Sequence, residues 1–372
     1  MKVTIERSAL SKALGHVQSV VERRNTIPIL SNVLLQADGA ALTLTATDLD
    51  IEVSEEAPAD VAGGGATTVS ALTLFEIVKR LPEGAQVRLE LADDGNRLQV
   101  SAGRSQFSLA VLPDDDFPSL ATDDLETRFS MPTDDLRRLL HKTRFAISQE
   151  EMRYYLNGVY FHAYTDGDTP LLRAAATDSH RLARLDAPLP DGAASMPGVI
   201  VPRKAIAELS RLLEDAEDHV EIAVSAAKIQ FGFGPGRLTS KLIDGSFPDY
   251  ERVIPKENPN VLRVETKDFA QAVDRVSTVS ADRTRSVKLA LEADNLRLMV
   301  NNPEAGSALE ELSVDYGGEP IEIGFNARYL LDVAQQIDGG TATFRLSDPS
   351  SPTVICDEED ERALYVLMPL RV

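Results

Sequence analysis

The chain has 372 residues, 43% of them hydrophobic, with one cysteine and a formal net charge of −21. Its length predicts two or three domains with real cores, and its apolar fraction excludes an intrinsically disordered chain. Lone Cys356 excludes an intramolecular disulfide or a cysteine-built metal site, no apolar run reaches the ~18–20 residues that cross a bilayer, and the negative charge, taken whole, argues against a nucleic-acid binder.

The first seven residues alternate like a strand and contain no signal-peptide apolar stretch, so a cytoplasmic location without membrane contact is expected. Val3 and Ile5 lead into Leu10, Leu14, Val17 and Val21 at helical spacing. A strand is predicted over 42–46, a second helix over 72–81 and another strand over 87–91, with a hairpin turn at Asp93-Asp94-Gly95-Asn96. The layout then returns. Phe129 and Met131 precede a helix start at Pro132-Thr133-Asp134, with Leu136, Leu139, Leu140 and Thr143 behind it. A turn at Asp166-Gly167-Asp168, a strand over 171–175, a helix over 203–213 and a strand over 220–224 follow. In the third pass Leu262 and Val264 precede Phe269, Val273, Val276 and Val279, with Thr266 as the expected N-cap. A strand over 296–300, a helix over 327–337 and a strand over 341–346 complete it.

Sequence echoes support duplication. Ala46-Thr47-Asp48 returns as Ala176-Thr177-Asp178 and Phe117-Pro118 as Phe247-Pro248, both 130 positions later. That period is the size of a domain. Acidic or proline-bearing segments at 114–124 and 255–259 divide the chain into expected domains 1–124, 125–256 and 257–372, of α+β class.

Charge is unevenly placed. The six helical windows together carry +8, which leaves −29 for the rest. Two readings fit: solvated Lys and Arg on ordinary helices, or repeated helices lining one surface that opposes phosphates.

Catalytic signals are weak. Asp48 and Asp178 could form paired carboxylates, but beside their threonines they read better as turn caps. The five histidines (16, 141, 162, 180 and 219) lack ligand spacing. Gly63-Gly64-Gly65 lacks the Lys-Ser/Thr of a phosphate loop and reads as a flexible turn. No nucleophile–base pair is evident, so a non-enzymatic protein without metal or cofactor is expected.

Several segments resemble the bacterial β sliding clamp, the processivity subunit of DNA polymerase III. They are Thr26-Ile-Pro-Ile-Leu-Ser-Asn, Leu81-Pro-Glu-Gly-Ala, Arg153-Tyr-Tyr-Leu-Asn-Gly, Ala176-Thr-Asp-Ser-His-Arg-Leu-Ala, Val201-Pro-Arg-Lys, Ser240-Lys-Leu-Ile-Asp-Gly-Ser-Phe-Pro-Asp-Tyr, Ile323-Gly-Phe-Asn and Tyr365-Val-Leu-Met-Pro-Leu-Arg-Val. The likeness runs the length of the chain.

The resemblance implies three tandem clamp domains, each with two helices on an inner face and antiparallel sheets outside, and a head-to-tail dimer closed into a ring around duplex DNA. It implies DNA contacts at Arg24, at Gln149, Arg153 and Tyr154, and at Arg203 and Lys204, with Lys79 and Arg80 as weaker candidates. It implies a peptide pocket serving the replicative polymerase, the clamp loader, and other polymerases and repair proteins. The pocket's walls would be Leu156, Thr177, Ser179, His180, Arg181 and Leu182, then Pro248, Arg252 and Val253. Ser350 and Pro352 would lie near, and Val366, Leu367, Met368, Pro369, Leu370 and Arg371 would complete it. Arg and His would rim an apolar slot for acidic or amide groups. Pro369 favours an edge strand or an exposed tail. The dimer contact would set Phe107 and Leu109 against Thr278 and Val279. Two departures from the family stand out: Ser179 replaces a common glycine, so that a backbone needing positive φ there would be strained or its turn shifted, and Thr284 replaces a larger, aromatic residue found in some relatives.

Overall fold

The computed structural model describes residues 1–22, 26–216, 218–280 and 285–371. Arg24 and Thr284 lie outside them. Among the described residues there are six α-helices: α1 (Arg7–Val17), α2 (Ala71–Arg80), α3 (Thr133–Thr143), α4 (Arg203–Leu212), α5 (Thr266–Ser277) and α6 (Ala327–Ala334). Each begins at the residue after a strand ends. No loop intervenes, so the last strand residue must serve the helix as its cap. Glu6 does so by accepting the Ser8 and Ala9 N–H groups (2.8 and 3.1 Å), and Asn326 accepts that of Arg328 (2.9 Å).

Thr266 departs from its expected place. The ladder between Asn260–Glu265 and Thr341–Leu346 continues to the last strand residue, and the Thr266 N–H donates to Gly340 O (2.7 Å). Thr266 is therefore the first helical residue, and Glu265 occupies the N-cap. The helices also end earlier than their apolar pattern. Val21 and Val279 fall beyond α1 and α5, and α6 stops at Ala334 rather than 337.

The chain forms two compact units. The first comprises Met1–Leu136, Pro190–Pro197 and Lys204–Leu242; the second comprises Arg137–Leu189, Gly198–Arg203 and Ile243–Val372. Both divide the second repeat. In the first unit a 13-stranded sheet passes from repeat to repeat, because Ile51–Pro58 pairs antiparallel with Gly236–Lys241. In the second unit Arg181–Pro188 pairs with Ala363–Leu367 in a nine-stranded sheet, and a four-stranded sheet accompanies it. The C-terminal strand is thus central, between Arg181–Pro188 and Thr353–Asp357, rather than an edge or an exposed tail. It tolerates its sequence because it ends at Leu367, before Pro369 would remove a ladder N–H.

The echoed tripeptide builds the same turn twice. Thr47 Oγ1 donates to Ile51 O (2.8 Å) and accepts the Leu49 N–H (3.1 Å); Asp48 Oδ1 accepts the N–H groups of Asp50 and Ile51 (2.9 and 2.7 Å). Thr177 and Asp178 repeat these four bonds onto Ser179, His180 and Arg181, at 2.7 to 3.1 Å. Asp48 and Asp178 are turn caps. The third turn residue is left-handed in both copies, with φ of 81° at Leu49 and 74° at Ser179. Neither is glycine, so each turn holds roughly 1–2 kcal/mol of strain against these bonds.

In the first unit His16 of α1 is clamped between two carboxylates. Nδ1 contacts buried Glu55, and Nε2 lies 3.1 Å from Asp215. The hydrogen bond to Glu55, opposed by burial and aided by Asp215, raises the imidazole pKa above its ordinary 6.5. A raised folded pKa stabilises fully below the unfolded value and is lost as pH rises through the folded one.

Two outcomes are expected. Thr47→Val should cost about 1–2 kcal/mol in urea unfolding, because it strands the Leu49 N–H. His16→Gln should flatten the loss of thermal stability that wild type shows as pH rises from about 6 to 8.

Candidate functional site

In the second unit the ladder between Arg181–Pro188 and Ala363–Leu367 sets Leu182 opposite Val366. These two side chains are 2% exposed and share a cluster with Ala175, Tyr250 and Val354, against which Phe247 and Ile254 pack. They form an apolar floor rather than open walls. Above it the segment 247–253 carries Pro248, Arg252 and Val253, all exposed, Val253 to 51%. Leu367 neighbours Val366 in a strand and so faces the other side of the sheet, where it is buried. It does not join the cluster. Leu156 is also buried, at the end of the short 3₁₀ helix Glu151–Leu156.

The chain end reaches the turn directly. Met368, 39% exposed, donates its N–H to His180 O (2.9 Å), and Leu370 donates to Gly324 O (2.8 Å). Pro369 is half-buried and Arg371 exposed. Ser350 sits in a turn whose Asp348 carboxylate accepts bonds from Ser350 and Ser351, which draw its pKa down to about 2. Pro352 O accepts a bond from Asn258 (3.0 Å).

Arg181 does not act as a rim cation. Its guanidinium is buried, bonded to Asp178 (3.1 Å), Asp332 (2.5 Å) and Phe145 O (2.7 Å), and it lies near the rings of Phe145 and Tyr329. Its donors are committed to holding the turn. Arg153 bonds Glu150 (2.8 Å) and Ser179 Oγ (2.6 Å), a contact that glycine would not offer.

Beside this turn a groove of about 590 Å³ brings Gln149 and Arg203 together with His180 and Arg181. Arg144, Arg328 and Tyr329 also line it. Sequence reasoning missed these three. Its carboxylates pair with other arginines: Glu150 with Arg153, and Asp178 and Asp332 with Arg181. Exposed Arg144, Arg203 and Arg328, the last only 3.9 Å from the shared Asp332 carboxylate, set the sign of the groove. Summed along its helix, Arg328 is cancelled by Asp332, yet in space Asp332 pairs more closely with Arg181. The ring of His180 stacks on Tyr329 at 6.3 Å.

The other cation candidates differ in freedom. Lys204 is held by Asp48 and Glu22 (3.1 Å to the latter), and these carboxylates outweigh burial to raise its pKa. Lys79 and Arg80 are exposed at the end of α2, where Arg80 bonds Glu76 O (2.7 Å). Tyr154 is 54% exposed and meets Tyr155 edge-on, and adjacent Met152 is 90% exposed.

Each unit also carries an open sheet edge. Ser105–Leu112 pairs with Arg97–Ala102 along one side, but on the other only Val111 and Leu112 are bonded. Phe107 on this strand is 36% exposed; Leu109 is half-buried. In the second unit Gly306–Ser313 is the last strand of the four-stranded sheet, with Leu309 62% exposed. Thr278 and Val279 lie just after α5, the first exposed and the second half-buried. Leu309 was missed because Gly-Ser-Ala-Leu-Glu-Glu-Leu-Ser does not alternate in polarity; only the burial along the folded strand does.

Models of the DNA polymerase III beta subunit match the chain in three consecutive segments. The N-terminal domain matches residues 1–121, the central domain 130–249 and the C-terminal domain 251–371. The beta sliding clamp of Caulobacter vibrioides is 58% identical over 372 residues, covering 100% of both chains. Among solved structures, a Caulobacter crescentus beta sliding clamp with bound PEG has a TM-score of 0.97 at 57% identity. A Bartonella birtlesii sliding clamp bound to griselimycin has a TM-score of 0.97 at 49% identity. Both cover 100% of each chain. The chain belongs to the bacterial β sliding clamps, the non-catalytic subunits that make DNA polymerase III processive.

Proposed function

We propose that two copies of this clamp close head to tail around duplex DNA in the cytoplasm. Each copy contributes three domains, 1–124, 125–256 and 257–372. The observation that carries this reading is the pair of open strands, one early and one late in the chain, each with an exposed apolar residue. Long edges with apolar side chains are normally protected. Pairing Ser105–Leu112 of one copy with Gly306–Ser313 of the other would satisfy both, with Phe107, Leu109 and Leu309 inside the contact and Thr278 and Val279 flanking it. Such an interface is heterologous, and two such contacts close a ring. A closed ring holds DNA by topology. Weak phosphate contacts from Arg24, Lys79, Arg80, Gln149, Arg153, Tyr154, Arg203 and Lys204 then suffice and do not obstruct sliding.

The second surface receives short peptide segments of the replicative polymerase, the clamp loader and other replication or repair proteins. Leu156, Leu182 and Val366 form its floor, and Pro248, Arg252 and Val253 one wall. Thr177, Ser179 and His180 with Met368, Pro369, Leu370 and Arg371 form the opposite side, and Ser350 and Pro352 lie near. Met368 adapts its shape, which suits several ligands. The griselimycin-bound relative supports a ligand site on this scaffold.

Leu309→Lys should convert the dimer to monomer in native mass measurements and abolish retention on nicked circular DNA. Wild type should stay on circles and leave once they are cut; equal loss from both would overturn the ring. Deleting residues 368–372 should weaken a fluorescent polymerase-derived peptide at least tenfold while the dimer persists. Unchanged affinity would remove the pocket assignment.

A further inference from the structure

The segment 247–253 is held to the sheet by charge and by ring stacking. Tyr160, His162 and Tyr164 alternate along the strand Gly158–Asp166 and share one face. Tyr160 stacks on His162 at 4.7 Å and on Phe247 at 4.9 Å, the latter with an interplanar angle of 7°. Tyr250 meets both Phe247 and His162, and its hydroxyl lies 2.8 Å from His162 Nε2. At the far end the Arg173 guanidinium lies 3.5 Å over the Tyr164 ring.

Arg173 is 1% exposed. Nε and Nη2 fork onto Asp186 (2.6 and 2.8 Å), while Nη1 donates to Glu251 (2.5 Å). Arg184 lies 3.7 Å from both carboxylates. Three of these four charges, Arg173, Arg184 and Asp186, stand on sheet strands and sum to +1. Only Glu251 comes from the covering segment. With the segment docked, Asp186 balances only one of the two guanidinium groups, and Glu251 supplies the second carboxylate to the nearly enclosed pair. Pro248, Arg252 and Val253, the exposed residues of the proposed wall, lie within three positions of that carboxylate.

We infer that Glu251 is a positioning residue of the peptide pocket. Its ion pair with Arg173 and Arg184, together with the Phe247–Tyr160 stack, keeps the wall preformed, so that a partner peptide does not have to order it on binding. This rests on the pocket reading above. A peptide binding a wall that is only partly populated loses affinity in proportion to the competent fraction.

The test uses the full-length dimer and the same fluorescent polymerase-derived peptide. Glu251→Ala should weaken peptide binding about tenfold, Glu251→Gln should fall between it and wild type, and Glu251→Asp should recover part of the loss. Amide hydrogen exchange over 247–254 should rise in the same order, and bound peptide should suppress it. Circular dichroism and native mass of each variant check that the folded dimer persists, and Glu251→Asp keeps the charge. Peptide affinity within twofold of wild type for Glu251→Ala, or unchanged exchange over 247–254, overturns the inference. If deletion of 368–372 also leaves the peptide bound, the pocket reading itself has failed; if deletion abolishes binding, only the role of Glu251 has.

Discussion

Backbone pairing across repeat boundaries is the constraint on which the structure depends. Ile51–Pro58 bonds to Gly236–Lys241, and Arg181–Pro188 bonds to Ala363–Leu367. A covalent linker alone would leave tandem domains free to move, as most interdomain contacts do. A shared antiparallel ladder fixes the angle between neighbours through the sheet's own geometry. It also explains why the compact units divide the second repeat: its two halves are built into different sheets. The proposed contact between copies applies the same joint once more, between strands that no neighbour within the chain completes.

The ladder between Arg181–Pro188 and Ala363–Leu367 also underlies the proposed peptide site. It sets Leu182 against Val366, and the chain end then bonds the His180 turn through Met368. A surface assembled from the second and third repeats exists only because their sheets merge. The first repeat builds the same Thr-Asp turn with an equivalent strand beside it, where the Lys241 N–H bonds Asp50 O (2.9 Å) as the Met368 N–H bonds His180 O. There the spare oxygen of Asp48 holds Lys204, whereas that of Asp178 holds Arg181. One scaffold serves two purposes according to which cation is supplied.

Much of this was legible in the sequence. Strand-then-helix order, hairpin turns and the 130-residue echo follow from local periodicity and turn chemistry, which short segments carry by themselves. What escaped depended on partners distant in sequence. The central position of Ala363–Leu367 is set by the distant strand Arg181–Pro188, which pairs on the side away from its hairpin partner Thr353–Asp357, so Pro369 misled by proximity alone. Thr266 looked like a cap because serine and threonine usually are, but a ladder reaching Glu265 had already taken its N–H. Adjacent Val366 and Leu367 came together as pocket residues in a sequence motif, yet a strand must send them to opposite faces.

Charge shows the same limit more sharply. Summed windows treat every carboxylate as cancelling the nearest cation in sequence. In the fold Asp332 pairs with Arg181, 151 positions away, at 2.5 Å, and is 3.9 Å from Arg328 on its own helix. A buried pair is screened far less than an exposed one, so the first contact fixes the carboxylate and releases Arg328 to solvent. Arg144 and Arg203 are exposed along the same groove. A protein of net charge −21 thereby keeps a local positive surface, because its acids are used internally where cations are buried. Exposed, weakly held guanidinium groups of this kind suit a ligand that must be held without being fixed in place. In the proposed ring, repulsion from the remaining acidic surface would work in the same direction, discouraging DNA from binding elsewhere on the molecule.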